Sequence, residues 1–199
     1  MALTIAEEVV DVWAEVAQDA FREGATIDIS PNYGTILHID VALGTETAHT
    51  GTEVLVQVSS STADDEFWTT LKAFVALVGT AATEAITNNP LAASGTSITV
   101  ASTTGYATNG TMLFLEDATF ANSELVYQSD FVTDTSITIL DGVKREHANT
   151  AVLFNLAETF AIELPLSTLR SRVIYNNAYD PDGSTVATRT RLVKTTALS

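Results

Sequence analysis

Glu53-Val54-Leu55-Val56-Gln57-Val58-Ser59-Ser60 constrains this chain more than any other stretch, because its three valines fall at every second position. Successive side chains of an extended strand point to opposite faces, so this period of two puts the valines on one face. β-Branched side chains are stiff at χ1 and fit a pleated surface better than a helix. A polar stretch, Ser61-Thr62-Ala63-Asp64-Asp65-Glu66, follows, and Phe67-Trp68-Thr69-Thr70-Leu71 opens a second strand. Two such strands around an acidic tip make a hairpin of the kind found in the middle of a β-sandwich. A Trp opening a central sandwich strand belongs to its core, and Trp68 is expected there rather than in a sugar-stacking surface.

The same alternation continues on both sides. Residues 25–30 and 35–43 read as strands, with Leu37, Ile39 and Val41 on one face and His38 on the solvent side. The N-terminal stretch is different. Thr4-Ile5-Ala6-Glu7 has the form of a capping box, and Val9, Val12, Trp13, Val16, Ala17, Ala20 and Phe21 follow at helical spacing, with Gly24 as a stop. This predicts a helix over residues 7–23. A long edge strand is the alternative, because Val10, Val12, Ala14 and Val16 also alternate.

Residues 79–95 are a linker rich in Ala, Thr and Asn, broken at Asn88-Asn89-Pro90. Beyond it come five short strands in about 60 residues, turned by Asn109-Gly110 and Asp141-Gly142, which predicts a small barrel or compact sheet. After Leu156 the longer alternating strands resume, at 159–164, 169–175 and 185–194. Seven sandwich strands appear only when both ends are counted together. The expected architecture is mainly β: an Ig-like or jelly-roll-like β-sandwich from residues 1–88 plus 157–199, carrying an inserted small β domain at 90–156. Insertion into a surface loop adds little closure entropy.

A hydrophobic fraction of 46% supplies a core and argues against disorder. The formal charge of -16 argues against nucleic acid as a partner, since a phosphate backbone calls for a basic footprint. It argues equally against anionic membrane surfaces. With no Cys, neither disulfides nor Cys-based zinc sites can form. Met1 to Glu8 has no basic or long apolar segment, so a signal peptide is not expected.

No pattern for a nucleophile elbow, a phosphate loop or a paired-histidine metal site is present. His38, His49 and His147 are isolated from one another. Asp180-Pro181-Asp182-Gly183-Ser184 places oxygen ligands at alternate positions, which makes Asp180 and Asp182 candidates for calcium. The bland reading of the same residues is a Pro-Asp-Gly turn that holds no ion. An enzyme is not expected, and no cofactor beyond that calcium.

The strongest asymmetry is in the cations. Arg170, Arg172, Arg189, Arg191 and Lys194 are five of the nine basic residues, all within the last two strands. If those strands pair, four guanidinium groups crowd one face and need carboxylates over them. The carboxylates come either from this chain, including its N-terminal segment, or from another subunit. With Trp13, these residues are the candidate interface contacts.

The stretches EVLVQVSSSTADDEFWTTL, ITVASTTGY and ELPLSTLRSRVIYNN together resemble structural proteins of tailed bacteriophages, in which β-sandwich and small β-barrel modules are strung together. The resemblance implies a virion component made in the host cytoplasm. Its implied role is capsid decoration, through contacts with copies of itself and with the major capsid protein or another virion protein. A tail- or fibre-associated module that binds a host glycan is the alternative, and a secreted carbohydrate-active enzyme comes third.

Overall fold

A computed structural model of the chain describes residues 3–29, 34–44, 48–62, 67–106, 109–178 and 184–197. Nearly all regular structure is β. In chain order the strands are β1 (Leu3–Val16), β2 (Phe21–Glu23), β3 (Ile27–Asp28), β4 (Gly34–Leu43), β5 (Ala48–His49), β6 (Thr52–Ser59), β7 (Thr69–Ala76), β8 (Gly79–Thr80) and β9 (Thr83–Ala85). They continue with β10 (Ser97–Thr99), β11 (Met112–Glu116), β12 (Glu124–Val132), β13 (Ser136–Ile139), β14 (Val152–Phe154), β15 (Ala157–Leu164), β16 (Arg170–Asn176) and β17 (Val186–Ala197). A 3-10 turn lies at Phe120–Asn122.

Two antiparallel sheets form a sandwich, one ordered β1-β17-β4-β15 and the other β2-β16-β6-β7, with β3 also pairing β16. The predicted alternation explains their facing sides. Leu37, Ile39 and Val41 of β4 and Val54 and Val56 of β6 are all 0% exposed and share one buried cluster. Tyr175 of β16 reaches across to β17, its hydroxyl 2.7 Å from Thr190 Oγ1. Phe74 of β7 packs against Phe160 of β15 with the rings tilted and 4.3 Å between their centroids.

A third sheet, ordered β10-β13-β12-β11-β14-β9, has a second buried cluster that includes Ile98, Leu113, Leu115, Ile137 and Leu153. Strand alternation lets β11 serve both clusters. Leu113 and Leu115 point into the third sheet's own core, whereas Phe114 between them joins the sandwich cluster and lies 4.7 Å from the Trp13 ring.

The expected N-terminal helix is absent, and residues 3–16 are a strand paired antiparallel with β17. The register explains the misleading pattern. Val9 faces Arg191, Asp11 faces Thr190 and Ala14 faces Thr188, so β1 gains one residue on its partner between Val9 and Asp11 and another between Asp11 and Ala14. Each extra residue shifts the face that later side chains point to. Trp13 and Val16, 4% and 2% exposed, therefore lie three apart although both are core strand residues. Two bulges in a strand have imitated helical spacing. Gly24 is no helix stop either. Its N–H donates to Val173 O at 2.8 Å, and a Cβ there would stand 2.5 Å from Asp11 Oδ2, so a larger residue would displace the Asp11 carboxylate.

Trp68 departs from expectation too. It precedes β7, lies half-buried, and is covered by two arginines rather than by the sandwich core.

Candidate functional site: clamped charges and an exposed strand end

The core pattern of β4 sends Leu37, Ile39 and Val41 inward, which leaves His38 and Asp40 on the opposite face. Asp40 is nevertheless 0% exposed. Its neighbours across the sheet are Arg189 of β17 and Thr159 of β15. Arg189 Nε and Arg191 Nε both donate to Asp40 Oδ2 at 2.8 Å, while Arg191 Nη2 and Thr159 Oγ1 donate to Oδ1 at 2.9 Å. Burial alone would raise the pKa of this carboxyl. The hydrogen bonds from Arg191 and the two positive charges outweigh burial and hold it below the ordinary 3.8. Arg189 also lies over the Trp13 ring at 4.6 Å.

β17, together with β2, also fastens the N-terminal strand. Arg191 Nη1 reaches Glu7 Oε1 at 2.7 Å, Lys194 Nζ reaches Glu8 Oε2 at 2.9 Å, and Arg22 Nη2 reaches Asp11 Oδ1 at 3.2 Å. Arg170 and Arg172 belong to β16, in the other sheet, so the four guanidinium groups do not share a face. These two lie over Trp68, at 5.3 and 4.3 Å from the ring centroid. Arg172 also donates to Gln57 Oε1 at 2.8 Å and to Glu23 Oε1 at 2.5 Å, and Arg170 Nε donates to Ser61 O at 2.9 Å. All five candidate cations thus hold acids, backbone or rings of their own chain, and Trp13 is buried.

His147 is the second constellation, and no spacing in the sequence points to it. Its ring is fully buried, with Nδ1 2.8 Å from Asp117 Oδ2 and Nε2 2.9 Å from Glu124 Oε1. The backbone N–H groups of Lys144 and Arg145 also donate to Glu124, at 2.8 and 2.9 Å. Burial disfavours a charged imidazole, but hydrogen bonds and charge from both carboxylates reverse this and raise the His147 pKa above 6.5. Burial likewise works to raise Glu124, and the His147 hydrogen bond with the two backbone donors brings it below 4.5. With both ring nitrogens engaged, His147 has none left to face a substrate. It is a structural clamp joining the loop before β14 to β12.

The remaining histidines form no group with it. His49 Nε2 pairs with Thr52 Oγ1 at 2.9 Å, and His38 is half-buried on the outer face of β4. Asp180 and Asp182 lie outside the described residues, and among the described residues no set of three or more His, Asp and Glu side chains could hold a metal ion. A cavity of about 310 Å³ lies between the third sheet and β17, lined by Tyr127, Lys144, Arg189 and Arg191 among others. Its two arginines are already engaged by Asp40 and Glu7.

What the clamps leave outside is the start of β1. Residues 5–9 are exposed on both faces of this edge strand, with Ile5 73% and Val9 52% exposed, and Val12 follows at 59%. Edge strands are usually guarded by free charge. Here Glu7, Glu8 and Asp11 are each tied to a cation of the same chain. At the level of sequence this edge strand is the alternative to the helix expected over residues 7–23, and the strand is what forms.

No protein-family model matches the chain, and no curated protein matches it. Among solved structures it is similar to one of the infectious bursal disease virus Gx strain, with 5% identity and a TM-score of 0.24 over 98% of this chain and 42% of that one. It is also similar to the VP2 subviral particle of infectious bursal disease virus, at 7% identity and a TM-score of 0.25 over 96% of this chain and 41% of that one. A third is VP17, a capsid protein of bacteriophage P23-77, at 8% identity and a TM-score of 0.19 over 99% of this chain and 100% of that one. The chain spans about 42% of the length of the first of these. Overlaps this slight assign no shared fold.

Proposed function

We propose that the chain is a non-enzymatic structural component of a virus particle, a capsid decoration protein of a tailed phage that works by contacts with copies of itself and with the coat beneath. The observation that carries this reading is the start of β1: an edge strand, bare on both faces, apolar at Ile5, Val9 and Val12, with its acids internally neutralised. Strand-edge addition satisfies backbone N–H and C=O groups while burying such side chains. At ~3.3 Å per residue, the five bare residues offer roughly 17 Å of pairing edge. Three of the cations expected as direct contacts, Arg189, Arg191 and Lys194, then have an indirect role, holding β1 in place so that its outer side faces a neighbour.

The two buried clusters support a sandwich carrying an inserted sheet, but β9 (residues 83–85) and Ile86 join the third sheet rather than the 1–88 part of the sandwich, and Phe114 and Phe154 of the 90–156 segment pack into the sandwich cluster. The engaged nitrogens of His147 and the fully bonded carboxylate of Asp40 support a role without chemistry, since buried titratable groups at active sites keep a face toward substrate. The test is the mass of the purified protein in solution, followed by its position in particles. An oligomer that binds capsids and appears as a lattice over the head supports decoration. A monomer without affinity for capsids rejects it.

A further inference from the structure

The sandwich has a second bare edge besides β1, and it belongs to β7. One sheet begins with β1 and ends with β15, and the other begins with β2 and ends with β7. Arg22 of β2 reaches Asp11 of β1, and Phe74 of β7 packs against Phe160 of β15. β1 therefore lies over β2 and β15 over β7, which sets β1 and β7 on opposite flanks and in different layers.

β7 resembles the start of β1 in being open on both faces. Thr69 to Ala73 are all exposed, and Val75 is 59% exposed. β7 gains one residue on β6 at Leu71, and from Lys72 to Val75 the pairing runs straight. Its one charge is Lys72, which is exposed and, among the described residues, has no carboxylate partner. We infer that β7 is the surface that receives β1 of the next copy, the two strands adding antiparallel into one continuous sheet. This rests on the reading of β1 as a contact and names its partner.

Charge selects this pairing over the others. If β1 met β1 about the two-fold axis that sets Ile5 beside Val9, Glu7 would stand opposite Glu7, and like charges directly opposite are unfavourable. β15 brings Glu158 and Glu163 and no cation. β2 has three residues, and its Arg22 and Glu23 are held within the chain. Of the sandwich edges, β7 alone offers a cation without an internal partner. Glu7 and Glu8 can receive it. Their side chains stay 52% and 60% exposed, and each gives one oxygen to Arg191 or Lys194. A carboxylate accepts at both oxygens. Glu8→Gln keeps a carbonyl oxygen for Lys72, so the contact tolerates it.

Side-chain order agrees with charge. An antiparallel register that puts Lys72 beside Glu8 also puts Phe74 beside Ala6 and Val75 beside Ile5. One register thus pairs the charges and covers two exposed aliphatic side chains. Because the two surfaces differ, the contact is head-to-tail, and the assembly closes into a ring or continues as a filament.

The test compares masses of the full chain by sedimentation velocity. Ile5→Lys, Val12→Lys blocks β1, and Lys72→Glu, Val75→Ser blocks β7. All four residues are exposed, so unchanged melting temperatures will show that both variants fold. Each variant alone is expected at the mass of one chain. Their equimolar mixture should give two chains and no more, since one open β1 and one open β7 remain. A β7 variant that keeps the native mass, or a mixture that stays at one chain, overturns the inference. A β1 variant that keeps the native mass overturns the reading of β1 itself, so the two failures are told apart. A second measurement needs no dissociation. The chain has no cysteine of its own. Ile5→Cys combined with Val75→Cys in one chain should link under mild oxidation into a ladder of chains, whereas Ile5→Cys alone should not link. A missing ladder, or efficient linkage of Ile5→Cys alone, overturns the inference.

Discussion

Asp40 on β4 and Arg189 on β17 face each other across one rung of the sheet, with Arg189 Nε 2.8 Å from Asp40 Oδ2. Arg191, two residues along β17, closes on the same carboxylate. A buried charge is tolerable only when its partners satisfy it, and removing one side strands the other. Asp40→Asn leaves two guanidinium groups against a neutral amide and should cost about 3–5 kcal/mol in urea unfolding. Replacing Asp40, Arg189 and Arg191 together by apolar residues of similar volume should cost much less. The pH sign follows from the lowered pKa. Asp40 contributes stability above the ordinary 3.8, and this is lost as pH falls through its lower folded value. The acid limb of a stability curve should therefore flatten in Asp40→Asn.

The His147 clamp has the opposite sign. A pKa raised above 6.5 means that its contribution is complete below 6.5 and is lost as pH rises through the higher folded value. Glu124, lowered from 4.5, contributes above 4.5 and loses this as pH falls through its lower folded value. Together they favour the third sheet most between about 4.5 and 6.5. Melting temperature should decline on the alkaline side of that window in the native chain. His147→Gln should melt lower at about pH 6 and show no such decline, which a pH series of thermal melts reads directly.

Strand alternation made most of the sandwich legible. Val54, Val56, Leu37, Ile39 and Val41 are buried on the predicted faces because a paired strand admits only one period. The start of the chain, read first as a helix and only in the alternative as an edge strand, was ambiguous for a related reason. Bulges at Val9/Asp11 and Asp11/Ala14 depend on what β17 does at the far end of the chain, and no local pattern carries that information. The clamps show the same division. Crowding of Arg189 and Arg191 signalled that acids were needed, whereas their partner Asp40 looked like an ordinary polar position in an alternating strand. Asp117, Glu124 and His147 meet through the folding of three separate segments, and no spacing announces that meeting.

Trp68 lies beneath two guanidinium groups, and its position ties the opening of β7 to β16. Cation–π contacts at partly exposed sites are worth about 0.5–1 kcal/mol each, with more when desolvated. Trp68→Leu keeps apolar bulk but removes the ring face, and should cost about 1–2 kcal/mol. Trp68→Phe should recover part of that loss. Equal stability of the two variants, by chemical unfolding, would show that packing rather than charge sets the contact.

The bare start of β1 yields the sharpest expectation. Ile5 lies opposite Thr195 and stands 73% exposed, and Val12 is 59% exposed beyond the first bulge. Neither side chain belongs to a buried cluster, so lysine at both should leave the monomer's stability within about 0.5 kcal/mol. Lysine on an edge strand opposes addition of a further strand, because its charge would have to be desolvated in the new contact. The Ile5→Lys, Val12→Lys variant should therefore fall to the mass of one chain in light scattering while melting as the native protein does. Glu8→Gln separates this edge effect from general electrostatics. It removes one acid and frees Lys194, leaves the apolar edge intact, and should keep the oligomer. An oligomer that survives both lysines would place the contact elsewhere, and the exposed Leu71, Val75 and Val78 along β7 and just beyond it would be the surface to change next.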